Sequence, residues 1–163
     1  MTPAHPDQPG TGSLLLPKAR VLATLFEVLS RRMEQVEREL AQLDEAQAGE
    51  TKSSAGDKYE TAREMVAQSR QMQLRIQQET RAGLEWLRRQ DPPVSSSSFS
   101  TGALVRTEDG WFLVCPCPVE LDVDGTRVQG ISLSSPVGQV CKGAHAGDTR
   151  LFRDRTIEIL AIL

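Results

Sequence analysis

Aromatic residues are scarce in this chain, 4% of 163 residues, and they are unevenly placed. That is thin for one globular core, and the length suits a small domain carrying an extended element. No apolar run is long enough to cross a membrane. The start, M-T-P-A-H-P-D-Q-P-G-T-G-S, has no cationic segment followed by an apolar one, so it does not read as a secretory signal. The expectation is a soluble, cytoplasmic protein. Three cysteines, an odd number, suit reduced thiols better than a disulfide framework. The net charge of −3 and pI near 5.5 give no bulk mark of a nucleic-acid binder, and a protein partner with a basic surface fits as well. There is no phosphate-binding loop, no G-x-S-x-G, no H-E-x-x-H and no stripe of arginines with stacking aromatics. An active site confined to this chain is therefore hard to build.

What the chain does have is helical periodicity on both sides of a short polar turn. Residues 1–14, rich in Pro, Gly and Thr, read as a disordered tail. Pro17 suits a first helical turn, where its missing N–H costs nothing. Leu22, Phe26, Leu29, Met33, Val36, Leu40 and Leu43 then recur at spacings of 4, 3, 4, 3, 4 and 3, a heptad seam. With Gly49 as C-cap the helix is about 30 residues, or about 45 Å at 1.5 Å per residue. A second helix is expected from Gly56 or Asp57 to about Arg89. Its seam is less apolar: Ala62, Met65, Val66, Ser69, Met72, Ile76, Leu84 and Leu87. The connection is too short for a parallel pair, so residues 15–90 read as an antiparallel coiled-coil hairpin with its tip at 49–60. Its middle, at Ser69 and Gln73, is expected to pack weakly. Its base is expected to be steadied by Leu22, Phe26, Leu84, Trp86 and Leu87.

Asp91-Pro92-Pro93 ends the second helix. Residues 91–98, with four serines, read as a linker to a second, separable unit at 99–163. There the period changes. Strands are expected at 103–106, 111–115, 119–123, 126–128 with an extension to 133, 149–152 and 156–163. Asp124-Gly125 is a two-residue hairpin signal. Ser135-Pro136 is an N-cap and first-turn pair for a short helix through Val140, closed by Gly143. The last strand is nearly all apolar and reads as central. The fold class is thus a helical hairpin followed by an α+β unit, an antiparallel sheet with one short helix.

Three constellations are candidates for function. Asp57 and Glu60 stand in D-x-x-E spacing at a helix start. That is a capping-box pattern, and it is equally a carboxylate pair presented to a metal held by a partner. Cys115, Cys117, Cys141 and His145 are the set closest to a zinc site. Their C-x-C spacing is not that of the common structural sites, and prolines interleave it. Tyr59, Ala62, Arg63 and Glu64 form Y-x-x-A-R-E, which also fits an ordinary solvated face in which Lys58 and Arg63 pair with glutamates one turn away.

Two stretches together resemble the bacterial Gre transcript-cleavage factors. One is the hairpin with Y-x-x-A-R-E after its tip. The other is I-S-L-S-S-P-V-G-Q-V-C-K-G-A-H-A-G-D, Ile131 to Asp148. The resemblance covers roughly Leu16 to Leu163. It implies an amino-terminal coiled coil and an FKBP-like carboxyl-terminal domain. It also implies binding to RNA polymerase as a monomer, with the hairpin inserted through the secondary channel. There tip carboxylates, here Asp57 and Glu60, would help hold the polymerase's magnesium, so that the polymerase cleaves backtracked RNA. Lys58, Tyr59 and Arg63 near the tip, and Ser135 and Pro136 in the second unit, become candidate partner contacts. The chain would then need no cofactor of its own and make no sequence-specific nucleic-acid contact. Aligned on Tyr59, however, the family's two tip acids fall on Lys52 and Ala55, so an inhibitory, non-cleaving factor is a second expectation. A prolyl isomerase built on the FKBP-like unit is a third. Only Phe99, Trp111, Phe112 and Phe152 are there to line its pocket.

Overall fold

The computed structural model describes residues 16–50, 57–90 and 93–163. The expected tail at 1–14, Lys52, Ala55 and most of the tip, the Asp91-Pro92 joint and the side chain of Asp57 lie outside the described residues. Two helices come first, α1 (Lys18–Glu50) and α2 (Asp57–Arg88), 33 and 32 residues long. Each spans about 50 Å. The carbonyl of Pro17 accepts from the N–H groups of Arg20 and Val21, which closes the first turn of α1. The helices pack antiparallel: Leu29 lies against Gly83 near the base, and Arg70 bonds Asp44 far from it. No helix among the described residues is long and apolar enough to cross a membrane.

Six strands follow: β1 (Leu104–Thr107), β2 (Gly110–Val114), β3 (Val119–Val123), β4 (Thr126–Ile131), β5 (Thr149–Phe152) and β6 (Arg155–Ile162), with α3 (Pro136–Cys141) between β4 and β5. The sheet order is β3-β4-β2-β1-β6-β5. The expectation of an antiparallel sheet needs correcting, because β4 runs parallel to β2. After β2, the segment Pro116–Pro118 carries the chain past the neighbouring position, and β3 pairs only with β4. The β3–β4 hairpin then returns β4 against β2 in the same direction. Its turn is as expected: Asp124 and Gly125 both have positive φ, 52° and 82°, the geometry that matches the twist of paired strands. The strand ends at Ile131 rather than running to Leu133. β6 is paired on both sides but sits one strand in from the β5 edge. Its register against β1 shifts at Leu160, which is left exposed.

The sheet buries both faces, each under a different cover. On one face Leu104, Leu113, Leu121, Val123 and Val128 join Val21, Leu22, Leu25, Leu29 and Leu87 of the helices in a single core. On the other, Val105, Val114, Ile131 and Ile159 of the strands cluster with Phe99, Ala103, Ala144 and Cys141 of α3. The base of the hairpin is thus part of the sheet's own core. This explains why Phe26, an expected base residue, is 54% exposed while its neighbour Leu25 is fully buried. A heptad seam faces one partner. Near its start α1 faces two, α2 and β3, and the buried stripe widens by one position toward the sheet. Polar contacts fix the same docking. Lys18 donates to the carbonyls of Leu163, at 3.1 Å, and of Val94. Arg20 makes a two-point contact with Asp124 in the β3–β4 turn, at 3.0 and 3.1 Å.

Candidate partner-docking sites

The first candidate is the distal end of the hairpin. α2 begins at Asp57, and the side chains that follow in its first two turns, Lys58, Tyr59, Glu60 and Arg63, all point to solvent. Tyr59 is 37% exposed. None of Lys58, Glu60 and Arg63 is held in an ion pair among the described residues, so the pairs expected one turn apart are not formed there. The capping contact expected between Asp57 and Glu60 rests on the Asp57 side chain and lies outside the described residues. What the geometry offers is an exposed carboxylate, Glu60, beside a cation on either side of it in sequence.

The second candidate surrounds α3. The Ser135 hydroxyl is committed to the fold: it accepts from the Gly138 N–H at 3.1 Å and donates to the Ser132 carbonyl at 2.7 Å. Pro136, first in the helix, is exposed. Of the two sequence candidates here, Ser135 is a cap and Pro136 is accessible. Farther along, the Asp148 carboxylate accepts from the His145 N–H at 3.0 Å and meets Arg150 at 3.2 Å. The His145 bond, then Arg150, hold its carboxyl below the usual carboxylate range. The G-D step at Gly147-Asp148 is therefore the clasp that turns the chain into β5.

Beside α3 lies a cleft of about 440 Å³ lined from β2, β4, β5 and β6, most of whose lining residues sequence reasoning did not bring together. Phe112, Ile131, Val137, Phe152 and Ile157 form its apolar floor, with Arg153 and Arg155 on its rim. Arg153 turns at φ 55° and lays its guanidinium over the Phe152 ring at 5.2 Å. Neither arginine is in an ion pair among the described residues. Of the four aromatics expected to line a pocket, only Phe112 and Phe152 do so. Phe99 is in the core, and Trp111 lies on the opposite face with Arg106 at 5.8 Å. The alternation of Phe112 and Trp111 along β2 was the available signal. Which face α3 covers was not.

The zinc set is not assembled. Cys115 and Cys117 are buried in the helix-side core, Cys141 in the opposite one, and His145 is exposed. Among the described residues no group of three His, Cys, Asp or Glu could hold a metal ion. The Cys115 thiol donates to the Cys117 carbonyl at 3.0 Å. Contact with the Cys117 side chain, then burial, push it well above the ordinary thiol range, which makes it a poor nucleophile. The chain matches no protein-family model, no curated protein and no solved structure.

Proposed function

We propose that this chain binds RNA polymerase, inserts its hairpin into the secondary channel, and modulates cleavage of backtracked RNA. The supporting observation is the disproportion of the hairpin. Its buried residues stop at Val36 on α1 and at Thr80 on α2. The rest is an arm, about 20 Å from Val36 to the end of α1, with exposed Glu60 near its end. An arm of this kind stabilises the chain little by its own packing and serves to place its tip. The resemblance of Ile131–Asp148 to the Gre pattern supports RNA polymerase as the partner. In this scheme the cleft floored by Phe112 and Phe152 and the accessible Pro136 dock on the channel rim. Lys58, Tyr59 and Arg63 line the channel wall.

Phosphodiester chemistry belongs to the polymerase. Asp57 and Glu60 would supply oxygen ligands to its magnesium, whose ions stabilise the attacking and leaving oxygens. The displacement of these acids from the family's positions, Lys52 and Ala55, supports a second reading: the arm occupies the channel and blocks cleavage. A prolyl isomerase draws on Phe112 and Phe152 alone and has less support.

The test is a backtracked complex of the cognate polymerase, with and without the protein. Asn accepts a hydrogen bond at a helix start nearly as well as Asp but brings no charge. Asp57→Asn should therefore preserve folding and polymerase binding while abolishing stimulated cleavage. Stimulation retained in Asp57→Asn and in Glu60→Gln would assign the carboxylates to capping alone. No binding by the parent protein would end the proposal.

A further inference from the structure

The geometry points to a hinge in the hairpin at the turn of α2 that carries Gln73, and we propose that it lets the distal arm bend toward Pro118 while the base stays fixed on the sheet. Three observations meet at that turn. First, the change in packing falls within two turns of it on the base side: from Thr80 to the base α2 buries Thr80, Gly83 and Leu87, and from Glu79 toward the tip no described residue of α2 is buried. Second, with Leu29 against Gly83 and Asp44 against Arg70, the register sets Gln73 across from Leu40. The Gln73 Oε1 is buried there without a hydrogen-bond partner in the protein. A buried acceptor left unpaired favours any movement that brings it water. Third, the flank of α2 at the same turn is unsupported. A groove of about 870 Å³ opens between Pro118 and the stretch Gln71–Ile76, with Met72 66% exposed beside it.

Bending toward Pro118 brings Met72 and Ile76 against it and opens the Gln73 side of the seam to solvent, so both effects favour the same direction. The backbone ladders of α1 and α2 resist a break, and the motion is therefore a bend. Across the helices the described residues offer one ion pair as a latch, Arg70–Asp44 at 2.9 Å, with side chains 41% and 57% exposed. Exposed pairs of this kind hold weakly. The bend is a property of the hairpin whatever its tip binds.

The experiment uses the full chain. Hydrogen exchange along α2 should show a step at Gln73, with amides of 58–72 exchanging at least about tenfold faster than those of 76–88. Gln73→Leu and the closer-sized Gln73→Met should slow exchange in 58–72 and 38–49 by about tenfold and leave 18–36 unchanged. Spin labels at Glu64→Cys and Glu120→Cys, both exposed sites, should give a broad distance distribution in the parent and a narrow one in either Gln73 variant. The native cysteines are buried. Asp44→Ala should broaden the distribution further. An even protection profile along α2, or a distribution equally broad in the parent and in whichever Gln73 variant folds, overturns the hinge.

Discussion

Gly83→Ala puts the docking of the hairpin base to a test of sign. In an isolated helix, or one standing clear of the sheet, alanine is better than glycine by about 1 kcal/mol. Here the added Cβ would lie 2.7 Å from the Cys117 Sγ and 2.8 Å from the Leu29 Cδ1, closer than real Cβ atoms come. Both neighbours are fully buried, so neither can swing into solvent. Overpacking of a filled core costs about 1–3 kcal/mol. The steric effect outweighs the propensity gain, for a net loss of about 1 kcal/mol and a fall in Tm of roughly 2–4 °C for a chain of this length. Urea and thermal unfolding followed by near-ultraviolet circular dichroism would read it, since Trp86 and Trp111 both border the shared core. Cys117→Ala removes the nearer obstacle. In that background the Leu29 contact remains, so Gly83→Ala should cost less than in the parent but not become free, a coupling of about 1 kcal/mol between contacting sites. A rise in Tm for Gly83→Ala alone would refute the reasoning and place α2 away from the β2–β3 connection.

Ser135→Ala removes both an acceptor for the Gly138 N–H and a donor to the Ser132 carbonyl; it should cost about 1 kcal/mol in urea unfolding, with Ser135→Asn losing less. Asp148 has its folded pKa depressed by the His145 N–H and Arg150. Its contribution is therefore present above the ordinary carboxylate pKa of about 4 and is lost as pH falls through the folded value. Asp148→Asn should flatten the acid limb of a Tm–pH profile and leave the profile above pH about 5 with the parent's shape. A fragment of residues 99–163 would expose Leu104, Leu113, Leu121, Val123 and Val128, which α1 and α2 cover in the full chain. It is expected to lack a cooperative unfolding transition, whereas a chain cut in the 93–98 segment should hold together and melt as one.

Much of this was legible in the residue order because the controlling physics is local. Heptad spacing from Leu22 to Leu43 dictates a helix, and an apolar stripe on it dictates a partner. Asp124-Gly125 dictates a tight hairpin because two positive φ values suit those residues. Ser135-Pro136 dictates a capped first turn because one hydroxyl and one fixed φ suffice. The polar interruption at Gln73 was visible for the same reason, as a break in a periodic pattern. Glu60, Lys58 and Arg63 could be marked as exposed from the helix period alone.

The tertiary structure decided what depends on groups far apart in the chain. Alternation in β4 specifies which face is buried but carries no information about the direction of the neighbouring strand, so the parallel β2–β4 pair was invisible. Phe26 and Leu25 are both apolar residues on one helix. Only the position of β3 beside α1 selects Leu25 for burial. The cleft exists because α3 covers part of one sheet face and leaves Phe112, Phe152 and Ile157 at its margin, a matter of where a six-residue helix lands. The cysteines are close in sequence or spacing yet divided between two cores, since a sheet separates what lies on its opposite faces. Periodicity follows from the geometry of one element repeating itself. Docking follows from the shapes of two elements meeting, and no single segment contains both.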